Sequence, residues 1–245
     1  MWTWFHRFGS PRYFYEFSGK WAPWFGWSSL VCILIGLYLG LFVAPPDYQQ
    51  GQSYRIIFIH VPSAWMSLFV YMNMAAAALV ALVWKIKVAD VVVTSCAPIG
   101  ASFTFLALVT GSLWGKPTWG TWWVWDARLT SELVLLFLYL GVIALRAAIE
   151  DRTDGSRAAG ILALVGVVNI PIIHYSVEWW NTLHQGATVS KLDAPSIHIS
   201  MLLPLLLMAV AFMLYFSMTL LLRARCEILD RERRSRWALE VVNGT

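Results

Sequence analysis

The sequence predicts an all-α, polytopic membrane bundle of six transmembrane helices with both termini cytoplasmic. Three observations predict it. Hydrophobic residues make up 59% of the 245-residue chain and charged residues 13%, with a mean hydropathy of +0.62, and so little polar surface cannot cover a water-soluble globule of this size. Six apolar runs, at 21–43, 56–84, 91–114, 129–145, 158–177 and 197–222, are long enough to cross a hydrocarbon core, which takes roughly 17 to 25 helical residues. Fourteen of the eighteen Lys and Arg residues fall on the side that six crossings assign to both tails.

The first run is too long for the apolar core of a signal peptide and is followed by Ala44, Pro45 and Pro46 rather than a small-residue cleavage pattern, so it reads as an uncleaved span. Its Gly36 and Gly40 form a GxxxG that permits close helix packing. In lipid every backbone polar group needs an internal partner, which makes all six runs helical whatever the β propensity of their valines. Pro62, Pro98, Pro171 and Pro204 each remove one donor, so kinks are expected in the second, third, fifth and sixth spans. The inward segments hold Arg7, Arg12 and Lys20, Lys85 and Lys87, Arg146, Arg152 and Arg157, then Arg223 to Arg236 in a basic tail that reads as solvated and topogenic. Arg55, Lys116, Arg128 and Lys191 are left for the outward connections, 44–55, 115–128 and 178–196. With no internal repeat or linker, residues 1–245 read as a single membrane domain.

Chemistry is sought in the outward connections. Cys32, Cys96 and Cys226 are isolated, and without a CxxCH the chain cannot carry haem by the usual covalent attachment. The stretch 114–128 holds Trp114, Trp119, Trp122, Trp123 and Trp125. Single interfacial tryptophans form an aromatic belt, but five in one glycine-interrupted, largely non-helical stretch build a flat apolar platform suited to a large planar ligand such as a porphyrin.

Neutral imidazole suits axial ligation of haem iron in an apolar setting. His60 lies near the outer end of the second span beside Pro62, and His184 lies in the third outward connection beside Trp179 and Trp180, so both can approach one ring, one on each face. For His60 a structural, hydrogen-bonded role is the rival reading. His6 and His198 read as ordinary interfacial residues, and His174 as paired with Glu178 four residues on. Arg55 and Arg128 sit where a guanidinium could pair with a haem propionate, although Arg128 could equally pair with Glu132 along its helix. Asp126 reads as an N-cap for the fourth span that could also orient a site residue.

The run WGTWWVWDAR, with HVP at His60 and EWWNTLHQG at His184, resembles the tryptophan-rich (WWD) haem-handling membrane proteins, and among them the CcmC family, haem exporter protein C of cytochrome c maturation. The resemblance covers nearly the whole chain. It implies that His60 and His184 are the axial ligands of a non-covalent haem b, and that Trp114 to Asp126 form the haem-binding surface in the periplasmic face of a bacterial inner membrane. It further implies a haem-transfer protein rather than an enzyme, acting with an ABC-type ATPase (CcmA), its permease (CcmB) and a small single-span subunit (CcmD). The cargo would pass to a membrane-anchored periplasmic haem chaperone (CcmE). A haem-b electron-transfer subunit of a membrane oxidoreductase is the alternative. Such subunits clamp a permanent haem between histidines on spanning helices, whereas one candidate ligand here is in a loop. A transporter with its own substrate pathway finds little support, since the ionisable residues inside the six runs, His60, Glu132 and His174 with His198 at the edge of the last, form no acid or base series.

Reporter fusions after Lys87, Asp154 and Arg236 are expected to report the cytoplasm, and fusions after Gln50 and Thr121 the outer side. The reverse pattern would move the tryptophan stretch inward.

Overall fold

The computed structural model describes residues 7–186, 189, 191 and 194–244, so His6 and part of the third outward connection lie outside the described residues. Helix α1 spans Pro11–Tyr38 and continues through a π-helical turn at Leu39–Val43. It begins well before the apolar run at Trp21, with Pro11 at a first-turn position where its missing N–H costs nothing. Phe14 and Tyr15 in this added stretch pack against Val91, Ala224, Ile228 and Trp237.

A 3-10 turn at Ser53–Ile56 leads into α2, Ile57–Trp84. Lys85, in the left-handed region at φ 57°, ends α2 and allows reversal within two residues into α3, Lys87–Trp119. This last boundary corrects the sequence reading of a largely non-helical tryptophan stretch. The helix runs on past Trp114 through Gly115 and Pro117, with the Thr118 hydroxyl donating to the Trp114 carbonyl at 2.8 Å. Pro117 deprives only Leu113 of a partner, a small loss near a helix end whose carbonyls are exposed anyway. The stop comes at Gly120, φ 77°, whose N–H reaches the Lys116 carbonyl at 3.0 Å.

Helix α4 covers Ala127–Ala148. The fifth span is two helices, α5 Arg152–Val165 and α6 Asn169–Trp179, separated by a 3-10 turn at Gly166–Val168. The break has two causes. Pro171 cannot donate to the Val167 carbonyl, and Gly166 admits the Tyr71 hydroxyl so closely that a Cβ there would collide with it. Pro62, Pro98 and Pro204 lie inside continuous helices. Helix α7, Ile199–Arg231, and the short α8, Arg236–Asn243, complete the chain. Six of these units, counting α5 and α6 as one, are long and apolar enough to cross a membrane.

Helix α1 packs along α7, α2 along α3, and α4 against α3, α5 and α6, with α7 also meeting α2 and α3. The GxxxG is used within the chain: Gly36 lies on Met208 of α7 and Gly40 on Phe58 of α2. Tyr71, Met74, Leu135, Tyr139 and Ile173 fill the centre. At the end bearing the termini, Asp90 ties four helices together. It accepts two hydrogen bonds from Arg146 at 2.9 Å, one from Arg231 at 2.6 Å and one from Ser156 at 2.9 Å.

Asp90→Ala leaves two half-buried guanidiniums without their carboxylate, and is expected to lower the stability of the detergent-solubilised protein by about 3 kcal/mol in thermal unfolding. Removing Glu16, which pairs with Arg12 on the surface, should cost under about 0.5 kcal/mol by the same measurement.

Candidate functional site

The end opposite Asp90 is where the sequence-selected histidines and most of the tryptophans meet. His60 is held from behind by α3: its Nδ1 lies 3.0 Å from the Ala107 carbonyl and 3.1 Å from Thr110 Oγ1. A carbonyl can only accept, and Thr110 spends its own proton on the Leu106 carbonyl at 2.6 Å, so both partners require a hydrogen on Nδ1. The lone pair of the ring is therefore on Nε2, the form in which an imidazole ligates metal. Gly111 gives the ring its room, since a Cβ there would come within 3.0 Å of the imidazole Cε1. Trp114, one turn beyond Thr110, meets the ring edge to face at 5.6 Å and is anchored by its indole N–H on Gln50 Oε1 at 2.7 Å.

His184 stands in the irregular segment after α6, where Thr182 accepts its backbone N–H at 2.8 Å. Its ring tilts over Trp119 at 4.9 Å. Its Nδ1 lies 3.9 Å from Asp126 Oδ2, and neither atom has a hydrogen-bond partner among the described residues. The other oxygen of Asp126 caps α4, accepting from the Leu129 N–H at 2.8 Å. Asp126 thus serves as N-cap and faces a site histidine at once. Burial, helped by the charge of Arg128 and opposed by Asp126, pulls the His184 pKa down to about 4, so the ring is neutral at pH 7. The carboxylate lies too far from Nδ1 to hydrogen-bond it, yet its charge favours the hydrogen on that nitrogen. His60 lies within electrostatic reach of both His184 and Arg128.

The five tryptophans do not form one flat surface. Trp114 and Trp119 project from the last turns of α3 beside the two histidines. Trp123, pinned through Thr121, meets Trp125 at 75° with ring centroids 5.4 Å apart. Trp122 and Trp125 are 54% and 75% exposed, and Lys116 lies over the Trp122 ring at 5.8 Å. The structure therefore gives an inner pair beside the imidazoles, two exposed rings at Trp122 and Trp125, and a Trp123 whose indole nitrogen is buried.

The two arginines separate as well. Arg55 is spent on the fold: its guanidinium donates to the Gly40 and Ala44 carbonyls, closing α1, and to Gln52. Arg128 uses Nη1 on the Ile173 carbonyl at 2.8 Å and has no ion pair with Glu132, whose Oε1 instead takes the Ser67 hydroxyl at 2.7 Å. Its other nitrogens remain available beside Asp126 and His184. His174 meets Tyr175 edge-on at 4.7 Å, and no ion pair joins it to Glu178, which corrects the expected pairing. His198 caps α7 through Ser200. The sequence reading missed Thr110 and Gln50. Thr110 could have been found from its place one turn before Trp114, whereas Gln50 carries no comparable signal.

The fold and the arrangement at this end define a multi-pass helical membrane protein with two imidazoles, each set beside an indole, at one end of the bundle. The family CcmC, described as Heme exporter protein C, matches residues 4–239. The chain is 54% identical to Heme exporter protein C of Haemophilus influenzae over 237 residues, 97% of this chain and 96% of that one. It is also 54% identical to Heme exporter protein C of Escherichia coli strain K12 over 242 residues, 99% and 98% of the two chains. A cytochrome c biosynthesis ccmC-like mitochondrial protein of Marchantia polymorpha is 47% identical over 196 residues, 80% and 83%. The chain belongs to the CcmC family.

A folded-state pKa of about 4 for His184, below the ordinary 6.5, means that acid protonates the unfolded chain first. The stabilisation this gives is complete above pH 6.5 and is lost as pH falls toward 4. Between pH 7 and 4 the wild type should lose on the order of 2 kcal/mol more than His184→Gln, read as the difference in thermal unfolding curves.

Proposed function

We propose that this protein binds haem at the periplasmic face of the bacterial inner membrane and passes it to a periplasmic chaperone for c-type cytochrome biogenesis. The observation that carries the reading is the pair of imidazoles at one end of the bundle within electrostatic reach of each other, His60 with Nδ1 on the Ala107 carbonyl and His184 with Nδ1 3.9 Å from the Asp126 carboxylate. His60 approaches from a rigid helix and His184 from an irregular segment, so one ligand is fixed and the other can withdraw. Haem is then a cargo held as non-covalent haem b between the two rings. Trp114 and Trp119 line the ligands, and Trp122 and Trp125 offer aromatic surface toward a partner, with Trp123 packed against Trp125. Arg128, with free guanidinium nitrogens, suits a propionate better than Arg55, whose fork closes α1. The family supports partners of the exporter type: an ATPase (CcmA), a permease (CcmB), a single-span subunit (CcmD) and the chaperone (CcmE). The basic asymmetry supports cytoplasmic termini and hence an outward mouth.

Covering one porphyrin face buries on the order of 300 Å² of apolar surface, worth roughly 7 kcal/mol before ordering costs. Indole contact can therefore retain haem without iron ligation. His60→Ala or His184→Ala should keep part of the haem, with a changed spectrum that imidazole restores and with impaired transfer to added chaperone. Replacing Trp119, Trp122, Trp123 and Trp125 together by alanine should abolish retention while the protein still inserts. Normal haem in the tryptophan variant together with normal spectra in the histidine variants would contradict the proposal.

A further inference from the structure

Helix α8, Arg236–Asn243, follows the last span after a short turn and is amphipathic. Its first turn is seated on the bundle: Ala238 is buried, and Trp237 meets Tyr15 of α1 with ring centroids 5.7 Å apart, beside Ala224 and Ile228 of α7. Val241 and Val242 lie one turn on from Trp237 and Ala238, on the same side of the helix. That turn projects past the bundle, leaving Val241 43% and Val242 70% exposed, with Leu239 exposed beside them. The opposite side carries Asn243 and the pair Arg236 and Glu240, joined at 2.9 Å. An apolar side that runs on beyond the surface anchoring it needs a second apolar medium to cover it.

The level of α8 along the bundle identifies that medium. Tyr15 lies six residues before the apolar run that starts at Trp21, and Ile228 six residues after the run that ends at Leu222, each about 9 Å along its helix. α8 is therefore held at the level of the lipid headgroups. The charge beside it matches anionic lipid. A cleft of about 510 Å³ is lined by Arg152, Arg231, Arg233, Arg234 and Asp230. Arg152 is paired with Asp230, and Arg231 with Asp90 and Glu227, whereas Arg233 and Arg234 are exposed and have no ion pair among the described residues.

We infer that α8 is an interfacial helix that docks on anionic phospholipid: Leu239, Val241 and Val242 enter the bilayer surface, and Arg233 and Arg234 take headgroup phosphates. Guanidinium forks match phosphate oxygens, and each arginine brought to an anionic surface strengthens attachment by about fivefold. Attachment pins the ends of α1 and α7 to the membrane surface through Trp237 and Ala238. The inference is independent of the haem reading and of the side of the membrane on which the termini lie.

The test is amide hydrogen exchange over residues 239–243 of the purified full chain, reconstituted in lipid discs of phosphatidylcholine alone or of phosphatidylcholine and phosphatidylglycerol in equal parts. Wild-type exchange should be slower in the anionic discs by roughly tenfold or more. Arg233→Gln combined with Arg234→Gln should remove most of that difference and leave exchange in the neutral discs unchanged. Val241→Gln combined with Val242→Gln, which favours the helix by intrinsic propensity, should nevertheless speed exchange in both discs. Inorganic phosphate added to neutral discs should not slow exchange. The inference is overturned by equal wild-type exchange in the two discs, by a difference that survives loss of both arginines, or by valine variants that exchange like the wild type. Slowing by inorganic phosphate alone would make the cleft a site for the free ion and would overturn it as well.

Discussion

Hydrocarbon offers no hydrogen bonds, so a chain this apolar has to satisfy its backbone internally, and irregular structure is confined to the levels where the spans end. The mouth is assembled from those ends. The last turns of α3 present Trp114 and Trp119, the Gly120 stop turns the chain, and Asp126 starts α4 by capping Leu129. Arg55 closes α1 by taking up the carbonyls that its final turns leave open. Each termination device serves the helix it ends and also fixes a side chain of the site or its border.

The same constraint explains how the two histidines differ. His60 borrows its orientation from α3, where Ala107 and Thr110 supply acceptors one turn apart, and the second span need only bring the ring there. His184 has no helix beneath it. It depends on Thr182, on the face of Trp119 and on a carboxylate 3.9 Å away. At the other end of the bundle Asp90 joins α3, α4, α5 and α7, so the helix ends on the side of the termini are fastened while the opposite ends carry the less regular structure.

Much of the fold was legible because a membrane span is a matter of length and apolarity, both of which the sequence displays directly. The break in the fifth span followed from Pro171, although the close approach of Tyr71 to Gly166 depended on another helix and left no local trace. The end of α3 was misread because Gly115 and Pro117 are helix breakers by local rule, yet they fall where the last turn tolerates them. The candidate residues His60, His184, Asp126 and Arg128 were legible as residue types near helix ends on one side of the bundle, and they come within electrostatic reach of one another. Arg55 was read from position alone, and its commitment to Gly40 and Ala44 could not be seen without the close approach of the π turn at Gly40 to Phe58 of α2. The flat tryptophan surface was inferred from density, which says nothing about ring orientation. The angle between Trp123 and Trp125 and the exposure of Trp122 belong to tertiary structure.

The central claim is that one haem iron sits between His60 and His184 at the outer mouth. The structure of the haem-loaded protein in a lipid disc, determined at a resolution that places the iron and its ligands, tests it most directly. The account predicts density for one haem with Nε2 of His60 and Nε2 of His184 on opposite faces of the iron, and Trp114 and Trp119 beside the ring. An iron ligated by any other side chain, or a haem bound away from this mouth, would contradict it.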